Sequence, residues 1–244
     1  MFLEDLGASE VTLSEDEGAD FEELGMAWLT KHRRMLAPRT TARRLTSLRA
    51  YAKWAGYSGL FNEYTAPDGG PAMPHPLPEG MAGVRRLLVA ANTEMQRCLI
   101  ALMGMCGLRV AEAISITFND CLVEGGKVTL RIRGKGDVVR YVPVSDEAYT
   151  HLIRRMVETA LTGEPLVQMK DRYARQCVTD IAVRARLSRR VASHDLRATF
   201  ATAVYDKTKD QRLVQILLGH KSGTTTEGYI GVSREKMIDG VEGL

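Results

Sequence analysis

Several things this chain lacks narrow its function before any motif does. Its four cysteines, Cys98, Cys106, Cys121 and Cys177, form no C-x-x-C pair. A zinc site therefore has no ligand spacing to rest on, and buried reduced thiols are expected. No apolar run is long enough to span a bilayer, and the N-terminus has no basic stretch of the kind that opens a signal peptide. These absences predict an intracellular protein with no membrane partner. No Gly-rich loop precedes a lysine and Ser/Thr at Walker spacing, so no bound nucleotide is expected. Internal repeats and low-complexity tracts are missing too. With 244 residues the chain can bury a core without disulfides or a metal, as one large domain or two modest ones.

Charge of one sign is missing locally. Residues 1–23 hold nine acids and no base, whereas residues 31–53 hold eight Lys or Arg and no acid. Set against a whole-chain net charge of +3, those nine acids leave the remainder at +12. A basic body suits a polyanion; a solvated surface with an acidic tail is the plain alternative.

Taken in order, residues 1–18 read as an acidic flexible tail. Phe21, Leu24, Trp28 and Leu29 predict a helix over 20–32. Pro38 and Thr40 open a second helix over 39–54. Leu45, Leu48, Ala52 and Ala55 fall on its inner side. Arg39, Arg43, Arg49 and Lys53 fall on the outer side, suited to phosphate contact. The run APDGGPAMPHPLP, with two Gly and five Pro, cannot continue a helix or a central strand. The predicted division is thus a reduced helical module over 19–62, a linker over 63–78, and a main domain over 79–244 with a tail from about 230.

In that domain a helix is expected over 80–91. Met95, Cys98, Leu99, Leu102, Met103 and Cys106 form the apolar stripe of a core helix. Residues 123–144 alternate as strands about a Gly134-Lys135-Gly136-Asp137 turn. Helices follow over 145–160, over 166–187 (with Lys170, Arg172, Arg175, Arg184 and Arg186), and over 211–218, closed by Gly219. Thr224 and Glu227 have capping-box spacing for one more short helix. The expected class is mainly α with a small β-sheet or hairpin, α+β.

The chemistry-bearing residues come in a set order. Gly107-Leu108-Arg109-Val110-Ala111-Glu112 ends the apolar helix about 85 residues before His194-Asp195-Leu196-Arg197. Leu218-Gly219-His220 and then Tyr229 follow. This series resembles the active-site boxes of the tyrosine recombinases (phage integrase family). The resemblance implies a catalytic domain preceded by a helical DNA-binding module, here reduced, in a short integrase without an arm-binding domain. It implies the catalytic set Arg109, Lys135, His194, Arg197, His220 and Tyr229, with Arg133 the near competitor of Lys135. Further DNA contacts are expected from Arg39, Arg43, Arg49, Lys53, Arg133, Arg172 and Arg175. The implied partners are double-stranded DNA attachment sites, a tetramer of protomers on DNA, and a directionality factor. The implied location is the bacterial host cytoplasm, at the nucleoid. No cofactor and no metal are expected.

At a phosphodiester the two arginines can each give paired hydrogen bonds to the non-bridging oxygens. Tyr229 is the nucleophile, and its phenol, with an ordinary pKa of about 10, needs help losing its proton. His194 is the candidate base, with the surrounding cations the alternative source of that help. Lys135 is the candidate acid, and His220 a third donor. Tyr173 and Tyr205 are the lesser candidate phenols. Asp195 and Glu112 are expected to orient or support. Two other functions share much of this pattern: a type IB topoisomerase that relaxes DNA as a monomer, and a DNA-binding regulator that keeps the fold without chemistry.

Overall fold

The computed structural model describes residues 17–33, 35–66, 75–134, 139–219 and 234–244. The chain divides into two compact units, 1–73 and 74–244.

In the first unit lie helices α1 (Glu17–Arg33) and α2 (Pro38–Trp54). Proline opens α2, where its missing N–H breaks no helical bond. Phe21, Trp28 and Leu29 from α1 bury against Leu45, Leu48 and Ala52 from α2, and Phe61 closes the cluster. Leu24, expected inward, is instead largely exposed. The Phe61 backbone N–H donates to the Glu22 carboxylate, which ties the loop after α2 back to α1.

That loop also corrects the placement of Arg49. Its guanidinium donates to the Phe61 carbonyl at 3.2 and 2.7 Å and to the Tyr64 carbonyl at 2.8 Å. It is half-buried as an anchor for the loop, off the outward cationic face. A helical wheel carries no information about a loop that folds back on it. Arg39, Arg43 and Lys53 are exposed.

The second unit begins with α3 (Gly80–Ala90), α4 (Glu94–Gly104) and the single turn α5 (Val110–Ala113). After a 3-10 turn come β1 (Cys121–Glu124), β2 (Lys127–Arg133) and β3 (Val139–Val144). Then follow α6 (Asp146–Thr159), α7 (Asp171–Arg184), α8 (Ser193–Thr208), α9 (Gln211–Leu218) and α10 (Arg234–Val241). Helix α4 is the core element: Cys98 to Gly104 are all buried, against α3, α6 and α8. Side-chain caps set the helix starts. The Thr93 hydroxyl accepts the Gln96 N–H at 3.2 Å, and Asp210 accepts the Leu213 N–H at 3.0 Å.

The sheet is antiparallel in the order β1-β2-β3. Val128, Leu130, Ile132, Val142 and Val144 bury on its inner face. Arg140 stands in the same inward column, opposite Ile132. The turn holding Lys135 lies outside the described residues, as does the Thr224–Glu227 pair.

Helix α7 starts at Asp171, five residues later than the expected start at Leu166. The Leu166 N–H donates to the Ile116 carbonyl at 2.8 Å, and Pro165 bridges to Thr117. Leu166 and Val167 are buried in a bend that precedes the helix. Helix α10 packs on the chain's own β3, α8 and α9, with Met237 and Val241 in the main core. All four cysteines are buried thiols, and burial pushes Cys98 and Cys121 up to about 12.

The fully buried Phe61 yields a first prediction. Phe61→Ala is expected to cost about 3–5 kcal/mol. The loss should fall on the first unit, so thermal unfolding should show an earlier transition while the second unit melts as before. A melt indistinguishable from the unsubstituted protein would contradict the packing role assigned to this ring.

Candidate active site

The site grows from a sharp turn. Gly107 has φ +68, and a β-carbon there would collide with the Phe200 ring of α8. The turn brings Arg109 to the start of α5, where its backbone N–H donates to the Glu112 carboxylate at 2.7 Å. That carboxylate is buried, with the residue 7% exposed. It gathers three guanidiniums. Arg109 donates to one oxygen at 2.9 Å. Arg140, 2% exposed, donates to both oxygens at 2.9 and 2.8 Å. Arg197 lies 3.6 Å from the second oxygen.

Two of these arginines also hold the C-terminal end of α9. Arg140 Nε donates to the Leu217 carbonyl at 3.0 Å, and Arg197 donates to the Leu218 carbonyl. Arg197 donates as well to the Gly107 carbonyl at 2.6 Å. Helix ends leave such carbonyls without intrahelical partners, and the helix dipole makes them attractive to cations. Gly219 follows with φ +65, and a β-carbon there would sit 2.8 Å from Arg140 Cδ. Only glycine fits both the backbone and the arginine.

The cluster has three cations to one anion, so it carries excess positive charge. Burial would raise the pKa of Glu112, but the hydrogen bonds and charge of Arg140, and then the bonds from Arg109, hold it at about 2. Burial, followed by the repulsion of Arg109, lowers Arg197 to about 9 against the counter-pull of Glu112. Both groups are ionised at neutral pH. Arg109 opens to solvent, its side chain 43% exposed, while that of Arg197 is 9% exposed. One guanidinium sits at the mouth and one at the floor, an arrangement suited to an oxyanion.

Of the six expected catalytic residues, the structure thus joins Arg109 and Arg197 on one carboxylate. His194 lies one turn before Arg197 on α8 and is exposed. Lys135, His220 and Tyr229 lie outside the described residues. Arg133 is exposed at the end of β2, where the chain enters the Lys135 turn. Arg172 is exposed on α7. Arg175 is exposed but engaged, with Asp171 at 2.6 and 2.9 Å and Ser193 Oγ at 3.3 Å. Asp195 accepts the Ala192 N–H at 2.9 Å and Arg189 at 2.7 Å, the supporting role expected of it. Tyr205 and Tyr173 stand exposed on α8 and α7. Among the described residues, no group of three or more His, Cys, Asp or Glu is placed to hold a metal, and no helix could cross a membrane.

The sequence reading missed Arg140. Its signal was present: counting back by two from the inward Val144 and Val142 lands on this arginine. An arginine in a core column needs a buried acid, and Glu112 is that acid.

Residues 82–236 match the phage integrase family. The chain is 30% identical over 221 residues to the tyrosine recombinase XerD of Pseudomonas aeruginosa, covering 82% of this chain and 74% of that one. Among solved structures it is similar to the XerH site-specific recombinase in a post-cleavage complex with palindromic difH, with TM-score 0.64, 23% identity, and 90% and 70% of the two chains covered. The integrase from mycobacterium phage Brujita is similar at TM-score 0.55, 23% identity, and 90% and 76% coverage. These two structural likenesses bear on the fold.

Acid titration tests the carboxylate hub. Glu112 has a folded pKa of about 2 against an ordinary 4.5. Its ionised form therefore adds stability above pH 4.5, and that contribution is lost as pH falls from 4.5 towards 2. Glu112→Gln should be less stable by about 3–5 kcal/mol at pH 7, because it leaves buried guanidiniums unpaired. The gap should narrow below pH 4. Urea unfolding across this range would refute the assignment if the gap stayed constant.

Proposed function

The chain belongs to the phage integrase family of tyrosine recombinases, enzymes that cleave and rejoin DNA through a covalent tyrosine intermediate, and from that premise we propose how its own residues divide the work. The observation that carries the proposal is the convergence of Arg109 and Arg197 on Glu112, at the helix end that leads into His220. The relatives are recombinases, which does not favour the topoisomerase reading or a regulator without chemistry.

The scissile phosphate sits against Arg109 and Arg197. Two N–H groups of Arg197 are taken by carbonyls, and a guanidinium has five, so others are left for the phosphate. Tyr229 loses its phenolic proton to His194, or to water with the arginines lowering its pKa, and attacks phosphorus. The bond from phosphorus to the tyrosine oxygen forms as the bond to the 5′ oxygen breaks. Lys135 protonates the departing 5′ oxygen, and His220 adds a donor to the charged transition state. The product is a 3′-phosphotyrosine and a free 5′-hydroxyl. Attack by the 5′-hydroxyl of the other DNA site reverses these bonds and releases Tyr229. Phosphodiester energy is kept throughout, so the steps draw on no nucleotide.

The partner in this reading is duplex DNA carrying attachment sites, bound by four protomers. Exposed Arg39, Arg43, Lys53, Arg133 and Arg172 supply backbone contacts, with Arg175 contributing once released from Asp171. Other members with similar folds have been seen as a dimer on a core site and as a tetramer on a Holliday junction. Integration of a phage genome under a directionality factor is the finer reading, supported by the sequence resemblance alone. Such a substrate would keep the protein at the nucleoid of a bacterial host.

A nicked duplex bearing a candidate site, mixed with protein in EDTA without ATP, should yield a covalent adduct on a denaturing gel. Tyr229→Phe should remove the adduct and keep DNA binding; an adduct that survives would sink the nucleophile assignment. Arg43→Ala should weaken binding to all sequences alike and lower the slope of log affinity against log salt by about 1. A loss confined to one sequence would make Arg43 a base reader.

A further inference from the structure

We propose that Arg140 is a positioning residue for strand cleavage, a buried fork that locks Glu112, the end of α9 and the strand after the Lys135 turn into one geometry. The inference rests on the reading of the site above. It concerns a residue that touches neither DNA nor the reacting atoms in that reading.

Three observations support it independently. First, Arg140 lies at the start of β3, in the pair after Arg133↔Val139, where the hairpin arm re-enters the sheet. The strand that follows the turn is thus anchored, one residue in, by this guanidinium's bonds to Glu112 and Leu217. Second, both amino groups are committed to the two oxygens of Glu112, at 2.9 and 2.8 Å. Glu112 in turn orients Arg109 through a backbone and a side-chain bond. Third, the remaining Nε donates to the Leu217 carbonyl, three residues before His220. The aliphatic stem lies against Gly219, close enough that an added methyl would meet its Cδ at 2.8 Å. One side chain on the strand after the Lys135 turn therefore touches Glu112, which holds Arg109, and the helix end that precedes His220 in the chain.

A lysine cannot reproduce this. Its ammonium is a point donor, without the planar fork that spans two carboxylate oxygens and a carbonyl on another element. A buried cation opposite Glu112 is kept in Arg140→Lys, while the geometry is lost. Misplacement of reacting groups by about 1 Å is enough to cost ~100-fold in rate.

The test compares the full-length protein with Arg140→Lys, Gly219→Ala and the double variant. Each is measured for single-turnover adduct formation on a nicked duplex, for DNA affinity, and for thermal unfolding. Arg140→Lys should bind DNA within ~2-fold of the unsubstituted protein and melt cooperatively, yet cleave ~10–100-fold more slowly at a temperature well below its transition. Gly219→Ala displaces the arginine stem without altering any charge, so it should slow cleavage too. To the extent that Gly219→Ala acts by displacing the arginine stem, beyond the backbone strain an alanine meets at φ +65, its loss should not add to that of Arg140→Lys in the double variant. Wild-type cleavage by Arg140→Lys would overturn the proposal. So would a rate loss that only tracks the unfolded fraction, or losses that multiply in the double variant. If Arg140→Lys does not fold, Gly219→Ala decides alone, and an unchanged rate there refutes the role. An adduct that persists in Tyr229→Phe would instead fault the site reading and leave the Arg140 comparison interpretable.

Discussion

A single buried carboxylate holds this active site together. Glu112 would be costly to bury alone, and so would the guanidiniums of Arg140 and Arg197. Together they satisfy one another, and each arginine arrives from a different part of the chain: Arg109 from the turn after α4, Arg140 from β3, Arg197 from α8. Removing the acid would leave cations facing one another in a low-dielectric interior. The surrounding backbone is arranged for the same end. The carbonyls of Gly107, Leu217 and Leu218 point at guanidiniums because a turn and a helix terminus leave them without partners.

Most helices were legible because their apolar spacing is their reason for existing. The 80–91 and 211–218 expectations lie within a residue of α3 and α9, since a stripe of Leu and Val has one way to meet a core. Failures came where tertiary partners decide. A helix was expected from Leu166, but the Leu166 N–H is taken by the Ile116 carbonyl, which keeps that segment out of the helix. Arg49 was read as an outward cation because the loop carbonyls that capture it are 12 and 15 residues away. Arg140 escaped notice for the opposite reason. An arginine between Val139 and Tyr141 looks like an outward strand residue until the column it shares with Val142 and Val144 is followed inward.

The two boxes that the structure describes, around Arg109 and Arg197, were legible to different depths. The Gly-Leu-Arg-x-x-Glu spacing encodes its own geometry: glycine for the left-handed turn, glutamate three positions on to cap the arginine's N–H. The His-x-x-Arg pair needs only one helical turn. Nothing local, however, says that the two boxes meet. That meeting depends on α4 and α8 packing together, with the Phe200 ring seated over Gly107.

Helix α8 is tied down at its first turn as firmly as at Arg197. Arg189 donates to Asp195 and to the carbonyls of His75 and Pro76, and the Thr199 hydroxyl accepts the Leu77 N–H at 2.8 Å. The chain therefore enters the second unit bonded to the helix that carries His194 and Arg197. The charge excess gives this rigidity a purpose. Three guanidiniums against one carboxylate repel, and packing must hold them until an anion arrives. In the proposed reading, a phosphodiester bound here would bring the missing negative charge, and more of it would develop as the fifth oxygen approaches phosphorus. On that reading a site under-neutralised when empty would be best balanced in the transition state, which is where stabilisation accelerates cleavage.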